Sequence, residues 1–480
     1  MTREPFVTPD ITAAIASIKT ILGPSGYFED PADTEKYRRD WRGNAEGEAL
    51  LVARPASTEE VSQVVKAAGE GGIAIVPQGG NTGLVMGSIP TETRPTIVLS
   101  LERMNRVRKL DAGNFSMIAE AGCVIQNMQA EARDADRLFP LSLASEGSST
   151  VGGTLSTNAG GNQTIRFGNA REQVLGLEVV LADGTVLDDL NTLRKNNTGY
   201  DLKQMFIGAE GTLGIITAAA FRLMPGPKAM ETAVLALPSP TAAQGLLAMA
   251  REISGDQVLA FEIMPRESMQ MAIDHIEGVV DPLSEPSPWY VLLELSTASP
   301  VENLRDKLEA LFEKAMEEGL VTDGVIAESM QQRLQLWRPR EEQAEAGRRS
   351  GGFGLTFDLS IPVGQVAEFL EYSRARMAEE VPGLRFNTMG HMGDGNIHYS
   401  MKKPLDMDEA AWEQRKAGMR DSMMEMIRDF GGSFSAEHGI GAEKRETLAD
   451  FTSATRLNLM RAIKTAIDPK GTMNPGKVLL

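Results

Sequence analysis

Short apolar runs alternate with amphipathic stretches along the first half of the chain. Residues 50–53 and 73–76 predict strands, and residues 58–68 between them predict a helix that Ser57 or Thr58 can cap. A helix is expected earlier, over residues 10–22, and Asp183-Gly184 predicts a tight hairpin turn. The remaining elements predicted here are strands over 96–101, 116–121, 177–181 and 185–187 and a helix over 125–136.

A different pattern begins after the sequence PGPK at 225–228, which interrupts regular structure. Long amphipathic stretches at 241–253, 301–319 and 364–380 alternate with apolar runs, and helices at 409–430 and 453–467 follow. Long helices on one antiparallel sheet are typical of an α+β domain. We therefore predict an α+β protein divided at 1–226, 227–430 and 431–480. The strands predicted after residue 228 are 232–237, 259–264, 290–296, 324–328, 355–361, 385–389 and 396–401.

Two segments rich in Gly, Ser, Thr and Asn interrupt the first half: PQGGNTGLVMG at 77–87 and SEGSSTVGGTLSTNAGG at 145–161. Glycine lets backbone N–H groups converge on an anion, and the hydroxyl groups add further donors. A flexible linker is the alternative for either segment alone, but Leu84, Val151 and Leu155 interrupt them at strand-like intervals. Neither segment has the Gly-Lys-Ser/Thr of a P-loop, nor a GxGxxG that opens a helix after a strand. Two such loops suit a diphosphate.

Composition narrows the class of protein. The 480 residues include 48 basic and 66 acidic side chains, and the net charge of −18 disfavours nucleic acid or an anionic membrane as a partner. One cysteine, Cys123, excludes an internal disulfide framework. No apolar run approaches the roughly 20 residues of a transmembrane helix, and the amino terminus lacks the pattern of a signal peptide. These features predict a soluble, cytoplasmic protein.

Three of the four histidines lie in glycine-rich segments: His391 and His398 frame HMGDGNIH, and His438 follows Glu437 in SAEHGIG. An isolated histidine is more often structural, but this grouping favours a metal held by His391, His398 and Glu437. Two nitrogens and one oxygen suit Zn²⁺, with Mn²⁺ or Fe²⁺ left open. Adjacent side chains of an extended segment point to opposite sides, so we do not expect Glu437 and His438 to be equivalent ligands.

A carboxylate-binding cation is predicted in LWRPREE. Pro339 suits the first position of a helix, which places Arg340 in the opening turn. There its guanidinium and the free N–H groups would both attract a carboxylate. An exposed arginine at a charged helix start is the alternative.

Four motifs in a fixed order, PQGGNTG, GSSTVGGTLSTNAGG, GLEVVLADG and IGAEGTLGII, resemble the FAD-binding domain shared by vanillyl-alcohol oxidase and p-cresol methylhydroxylase. From about Asp40 to the carboxyl terminus the chain is similar to the FAD-linked D-2-hydroxyacid dehydrogenase family, which includes D-2-hydroxyglutarate and D-lactate dehydrogenases. The resemblance implies an FAD-binding domain over 1–226 and a substrate-binding cap over 227–430. It also implies that 431–480 completes the active site and packs on the FAD domain.

The resemblance also implies which residues contact FAD. The cofactor should be bound non-covalently, because GlyGlyAsn at 79–81 lacks the histidine through which some members tether it. The implied cofactor residues are Pro77, Gly79, Gly80, Asn81, Thr82, Gly83, Leu84, Ser145, Gly147, Ser148, Thr150, Gly152, Gly153, Ser156, Asn158, Gly160, Gly161, Gly211, Ile215 and Asn474.

The chemistry implied by the family is oxidation of a D-2-hydroxy acid to the 2-oxo acid by hydride transfer to flavin N5. A divalent metal would acidify the hydroxyl group, His438 would be the base, and Arg340 would bind the substrate carboxylate. Members that act on D-2-hydroxyglutarate carry Thr, Lys and Asn where this chain has Ala344, Thr356 and Ser400. We therefore take Thr356 and Ser400 as substrate residues and expect a monocarboxylate or a differently substituted acid at least as readily as D-2-hydroxyglutarate.

The implied electron acceptor is an electron-transfer flavoprotein, a quinone or a cytochrome, and a homodimer is an expected assembly. Two alternatives stand beside this interpretation. One is an oxidase of the same family that uses O₂. The other is a flavin-containing electron-relay subunit of a glycolate-oxidase-like assembly.

Overall fold

A computed structural model describes residues 10–352 and 354–480, and these form two compact units. Unit 1 comprises the described part of Met1–Gly160 together with Asn169–Pro225 and Glu437–Leu480. Unit 2 comprises Gly161–Gly168 and the described part of Gly226–Ala436. The first nine residues of the predicted amino-terminal domain, on which the signal-peptide prediction also depends, lie outside the described residues.

The strands are, in chain order, β1 Tyr27–Phe28, β2 Val52–Ala53, β3 Ala74–Gln78, β4 Thr96–Ser100, β5 Val107–Asp111, β6 Ser116–Glu120, β7 Arg137–Leu138, β8 Val174–Val180, β9 Val186–Asp189, β10 Ile215–Arg222, β11 Met224–Pro225, β12 Ala229–Leu237, β13 Val258–Pro265, β14 Trp289–Thr297, β15 Asp323–Ile326, β16 Leu355–Ser360, β17 Arg385–His391 and β18 Asn396–Lys402.

The helices are α1 Ile11–Leu22, α2 Pro31–Arg38, α3 Thr58–Glu70, α4 Ile125–Asp134, α5 Val151–Thr157, α6 Thr164–Phe167, α7 Ala170–Gln173, α8 Lys203–Phe206, α9 Pro240–Ser254, α10 Arg266–His275, α11 Leu304–Glu317, α12 Met330–Glu341, α13 Gln343–Arg349, α14 Val366–Glu380, α15 Glu409–Asp429, α16 Arg445–Phe451 and α17 Ala454–Ile467. A 3-10 turn over Val363–Gln365 precedes α14.

Unit 1 is built on two main sheets within its described residues. One has the strand order β1-β2-β4-β3, and its β2-β4 and β3-β4 pairs are parallel because α3 crosses between β2 and β3. The other is antiparallel, with the order β5-β6-β10-β8-β9. The tail of the chain returns to the first sheet, where the N–H group of Asn474 donates to the carbonyl of Ile75 at 2.8 Å. This pairing brings Asn474 to the strand that leads into the first glycine-rich segment.

The second glycine-rich segment, predicted as a loop, contains the short helix α5. Val151 and Leu155 lie one turn apart on this helix, and both are fully buried in the core beneath the antiparallel sheet. Their burial outweighs the low helix propensity of Gly152 and Gly153. A Cβ atom on Gly152 would lie 2.9 Å from the Cβ of Ala121, so glycine is needed here for close packing.

Unit 2 is organised around an antiparallel sheet whose strand order, over the described residues, is β15-β12-β14-β13-β17-β18-β16. One face packs against α10 and α12 through Met269, Leu336 and Trp337. On β18 the side chains alternate between faces, and the ring of Tyr399 packs edge-on to Phe369 of α14. His398 therefore lies on the face away from α14. The helices and antiparallel sheets of both units confirm the predicted α+β class.

Candidate functional site

The first candidate site is a cleft in unit 1 where the two glycine-rich segments meet. The cleft has a volume of about 1100 Å³, and its lining includes Gly79, Gly80, Asn81, Ser148 and Thr150. A Cβ atom on Gly80 would lie 2.0 Å from the carbonyl oxygen of Ser148, and one on Gly79 would lie 2.3 Å from Oγ1 of Thr150. Only glycine lets the segment after β3 approach the segment before α5 this closely.

Two buried polar atoms of unit 1 could bind a polar cofactor. Among the described residues, Oγ1 of Thr150 and Oδ1 of Asn474 are buried without a hydrogen-bond partner. The Asn474 amide is held in place because its Nδ2 donates to the carbonyls of Gly87 at 2.9 Å and Glu210 at 2.7 Å. Buried polar atoms normally have partners, so these two fit the phosphate and flavin groups of FAD.

Other predicted cofactor residues support the same two segments. The hydroxyls of Thr82 and Ser145 lie 3.0 Å and 2.6 Å from that of Ser149. Gly211, at a φ of 71°, brings its backbone against the ring of Pro77. Ile215 is different, because its side chain is buried in the hydrophobic core. The others lie in or beside the glycine-rich segments: Gly83 and Leu84 after β3, Gly147 before α5, Gly152, Gly153 and Ser156 on α5, and Asn158, Gly160 and Gly161 after it.

A buried carboxylate in unit 1 fixes the chain just after His438. Glu210 accepts hydrogen bonds from the backbone N–H groups of Ile440 at 2.8 Å and Gly441 at 2.7 Å. Burial raises the pKa of Glu210, although both bonds oppose the shift. The sequence analysis did not identify Glu210. Its position as the acidic residue of the IGAEGTLGII motif could have drawn attention to it.

We expect Glu210→Ala to lower the free energy of unfolding by about 3 kcal/mol, because hydrogen bonds to charged groups contribute ~1.5–3 kcal/mol each and relief of the buried charge offsets part of the loss. Thermal unfolding measures this as a lower midpoint. Glu443→Ala, at an exposed glutamate nearby, is the control. An equal midpoint for the two variants would contradict the assigned contact.

The second candidate site lies in unit 2, on the sheet face that α12 covers. The strand register pairs His391 with Glu262, so both side chains emerge on the same face. Nδ1 of His391 is 2.6 Å from Oε1 of Glu262, and Nε of Arg340 donates to Oε2 at 2.7 Å. Nη2 of Arg340 is also 3.3 Å from Nε2 of His391. One carboxylate therefore holds both a predicted metal ligand and the predicted substrate cation.

The charges of this group stabilise one another. Burial alone would raise the pKa of Glu262, but His391 and Arg340 outweigh burial and lower it to about 2. Burial likewise disfavours a charged His391, but the carboxylate raises the pKa of the imidazole above its ordinary value. Glu262 is therefore ionised throughout the neutral pH range.

The predicted position of Arg340 in the first turn of a helix is wrong. Helix α12 begins at Met330, where the Ser329 side chain caps it, and Pro339 lies inside its last turn. A proline there removes one backbone hydrogen bond, and the burial of Leu336 and Trp337 outweighs that loss. Arg340 therefore lies at the carboxyl end of the helix, and its structural partner is the Glu262 carboxylate rather than free N–H groups.

Asp358 and His398 are directly opposed across β16 and β18. Nδ2 of Asn396 donates to Oδ1 of Asp358 at 3.0 Å, which orients the carboxylate. The rings of His398 and His391 lie 5.4 Å apart, edge to face. The segment after α15 runs beside β16, where Ser435 bridges to Asp358.

Glu437 and His438 continue that segment. Across residues 10–352 and 354–480, a set of side chains that can hold a metal ion is Asp358, His398, Glu437 and His438, with ligand atoms within 4.8 Å of one another. The premise that the side chains of Glu437 and His438 point to opposite sides is wrong, whereas their non-equivalence as ligands stays a prediction. The chain bends at this point instead of extending, so Oε1 of Glu437 is 3.6 Å from Nε2 of His438. Sequence reasoning missed Asp358, because the strand predicted over 355–361 carries it but the pairing of that strand with the one of His398 is seen only in the structure.

The predicted substrate residues Thr356 and Ser400 are also directly opposed across β16 and β18. Each lies two residues along its strand from Asp358 or His398. Asn387 lies opposite Ser400 on β17, and its Oδ1 is buried with no partner among the described residues. Because side chains two residues apart share a face, these polar groups extend the row that begins at His398.

No helix in the described part of the chain is long and apolar enough to cross a membrane.

Two family models match the chain. The FAD binding domain model covers residues 49–189, and the model of the C-terminal domain of FAD linked oxidases covers residues 226–478. The second match includes His391, His398 and Glu437 and spans more than half of the chain.

Relatives match over nearly the full length. The chain is 37% identical over 478 residues to the mitochondrial D-2-hydroxyglutarate dehydrogenase of Arabidopsis thaliana, covering 99% of this chain and 83% of that protein. It is 37% identical over 481 residues to the mitochondrial D-2-hydroxyglutarate dehydrogenase of Rattus norvegicus, covering 99% and 86%.

A solved structure of p-cresol methylhydroxylase with bound substrate has a TM-score of 0.75 to the chain at 16% identity, covering 97% of this chain and 96% of that one. At this identity the likeness concerns the fold alone. It confirms the predicted fold type of the vanillyl-alcohol oxidase and p-cresol methylhydroxylase group.

The prediction of a cytoplasmic location is contradicted by these comparisons. The relatives of Arabidopsis thaliana, Rattus norvegicus and Danio rerio are mitochondrial proteins, which conflicts with a cytoplasmic assignment. The lack of a signal-peptide pattern, on which the prediction rested, does not distinguish the cytoplasm from an organelle. The prediction is therefore withdrawn.

Proposed function

This chain belongs to the FAD-linked oxidase family and is an FAD-linked oxidoreductase, and on that premise we propose that it oxidises a D-2-hydroxy acid to the 2-oxo acid. The names of its relatives support this class of substrate. The observation that carries the proposal is the cluster of two imidazoles and two carboxylates formed by Asp358, His398, Glu437 and His438. Such a set can supply ligands for a metal that lowers the pKa of an alcohol and a group that accepts its proton.

Bound FAD supplies a hydride acceptor at N5, and a bound divalent ion supplies a Lewis acid that lowers the pKa of a coordinated hydroxyl group. FAD is held non-covalently by the glycine-rich segments and Asn474. The proposed metal ligands are His398 and Glu437 of this cluster together with His391, which is not among the side chains whose ligand atoms lie within 4.8 Å of one another. Asp358 adds a second carboxylate. Zn²⁺ suits these nitrogen and oxygen donors, as do Mn²⁺ and Fe²⁺.

His438 has the role of general base, accepting the substrate hydroxyl proton on its neutral imidazole. Arg340 binds the α-carboxylate through the guanidinium N–H groups that Glu262 leaves available. Thr356 and Ser400 contact the part of the substrate beyond its α-carboxylate. Since Thr356 is a neutral residue where D-2-hydroxyglutarate dehydrogenases carry lysine, a monocarboxylate or a differently substituted acid is an equal candidate.

Electrons leave through an electron-transfer flavoprotein, a quinone or a cytochrome, and the assembly is a homodimer, both by analogy with the family. The cluster favours a dehydrogenase over an electron-relay subunit, because a relay has no use for a hydroxyl-activating site.

An anaerobic screen of D- and L-2-hydroxy acids tests the proposal. The flavin of metal-replete protein should bleach with a D-isomer, chelator treatment should abolish bleaching, and added Zn²⁺ should restore it. Dithionite should reduce the flavin in every sample, which shows that the cofactor is competent. If no hydroxy acid bleaches the metal-replete protein, the proposed function is wrong.

A further inference from the structure

Glu262 is a fully buried carboxylate at the centre of the sheet face in unit 2, and no sequence motif pointed to it. It lies on β13, far in sequence from both of its partners, His391 on β17 and Arg340 at the end of α12. Burying an ionised group is unfavourable unless opposite charges and hydrogen bonds compensate. For Glu262 these two residues supply that compensation.

The two carboxylate oxygens of Glu262 contact different residues. Oε1 is 2.6 Å from Nδ1 of His391, and Oε2 accepts the Nε–H group of Arg340 at 2.7 Å. A carboxylate can only accept here, so Nδ1 carries the proton and Nε2 carries the lone pair that a metal would use. In this structure that lone pair faces Nη2 of Arg340 at 3.3 Å. Histidine ligands typically donate their second nitrogen to a carboxylate in this way, which fixes the ring and raises its basicity.

We propose that Glu262 is a positioning residue that sets the metal ligand His391 and the carboxylate-binding Arg340 in one geometry. The inference rests on the proposed function for the roles of those two residues. Because the Glu262 side chain holds both His391 and Arg340, its loss should weaken metal binding and substrate binding together. In this proposal Glu262 acts through those two residues and does not itself bind the metal or the substrate.

The chain offers a closely matched control in Glu294, a buried carboxylate on the neighbouring strand β14. It also receives an arginine from α12, since Arg333 donates to it through Nε at 2.7 Å and Nη2 at 2.9 Å. Its other partners are Nε1 of Trp337 at 3.0 Å and Oγ1 of Thr232 at 2.6 Å. These contacts tie helix to sheet and involve no predicted metal ligand.

The experiment compares Glu262→Gln with Glu294→Gln in the full-length, FAD-loaded protein. Zn²⁺ affinity is measured by competition with a chromophoric chelator, and KM and kcat are measured with the best hydroxy acid. Glu262→Gln should bind Zn²⁺ about 10–100-fold more weakly and show a raised KM. Glu294→Gln should lower the thermal midpoint but keep Zn²⁺ affinity and KM. Glu262→Asp retains the charge and should recover part of the Zn²⁺ affinity.

The outcomes separate this inference from the proposed function. If wild-type protein oxidises no hydroxy acid, the proposed function fails, while the Zn²⁺ comparison still tests Glu262. Wild-type Zn²⁺ affinity in Glu262→Gln overturns the positioning role. Equal losses of Zn²⁺ affinity in both glutamine variants overturn it as well, because they reduce Glu262 to a general structural residue.

Discussion

Gly80→Ala should yield a protein that is purified without flavin. The added Cβ would lie 2.0 Å from the carbonyl oxygen of Ser148, and a backbone atom cannot move aside as a flexible side chain can. The two glycine-rich segments must separate, which disrupts the cleft they form. Overpacking against rigid neighbours typically costs ~1–3 kcal/mol, so we expect FAD affinity to fall about 100-fold. Flavin absorbance relative to protein absorbance, followed by FAD titration of the apoprotein, measures the loss.

Gly113→Ala is the matched control in the same unit. Gly113 lies on the exposed turn between β5 and β6, and the nearest atom to an added Cβ is 3.6 Å away. It tests whether replacing any loop glycine reduces flavin content. Full flavin occupancy in Gly80→Ala would show that the segments do not form the FAD cradle.

Much of the fold follows from local patterns in the sequence. Each strand of the large sheet in unit 2 was predicted within a few residues, because apolar runs bounded by glycine, proline and charged residues are strong signals for buried strands. Local patterns failed where tertiary packing decided the outcome. Helix α5 forms inside a glycine-rich segment, and α12 continues through Pro339, because the burial of other residues on each helix outweighs an unfavourable local preference.

The candidate site shows the same division. His398, Glu437 and His438 stand in glycine-rich motifs and were identified there, and the structure brings them together with Asp358. Asp358 and Glu262 carry no motif. Each becomes meaningful only through strand register, which joins Glu262 to His391 across 129 positions of the sequence. Such pairings depend on the whole sheet, so no local pattern could have revealed them.

His438→Ala should retain FAD and metal but lose most of its flavin reduction by substrate. General base catalysis typically contributes ~10²–10⁴-fold, and we expect the anaerobic reduction rate to fall by about 10³-fold. The imidazole of His438 lies beside Glu437, close enough that a ligand role must be distinguished from a base role. Zn²⁺ affinity makes this distinction, because loss of a base leaves it unchanged whereas loss of a ligand weakens it.

The control for His438→Ala is His275→Ala, which removes a histidine from the end of α10. It should leave the reduction rate and Zn²⁺ affinity unchanged. If His438→Ala reduces its flavin at the wild-type rate, another group takes the proton. If it instead loses Zn²⁺, His438 is a ligand, and the base must be sought among the remaining members of the cluster.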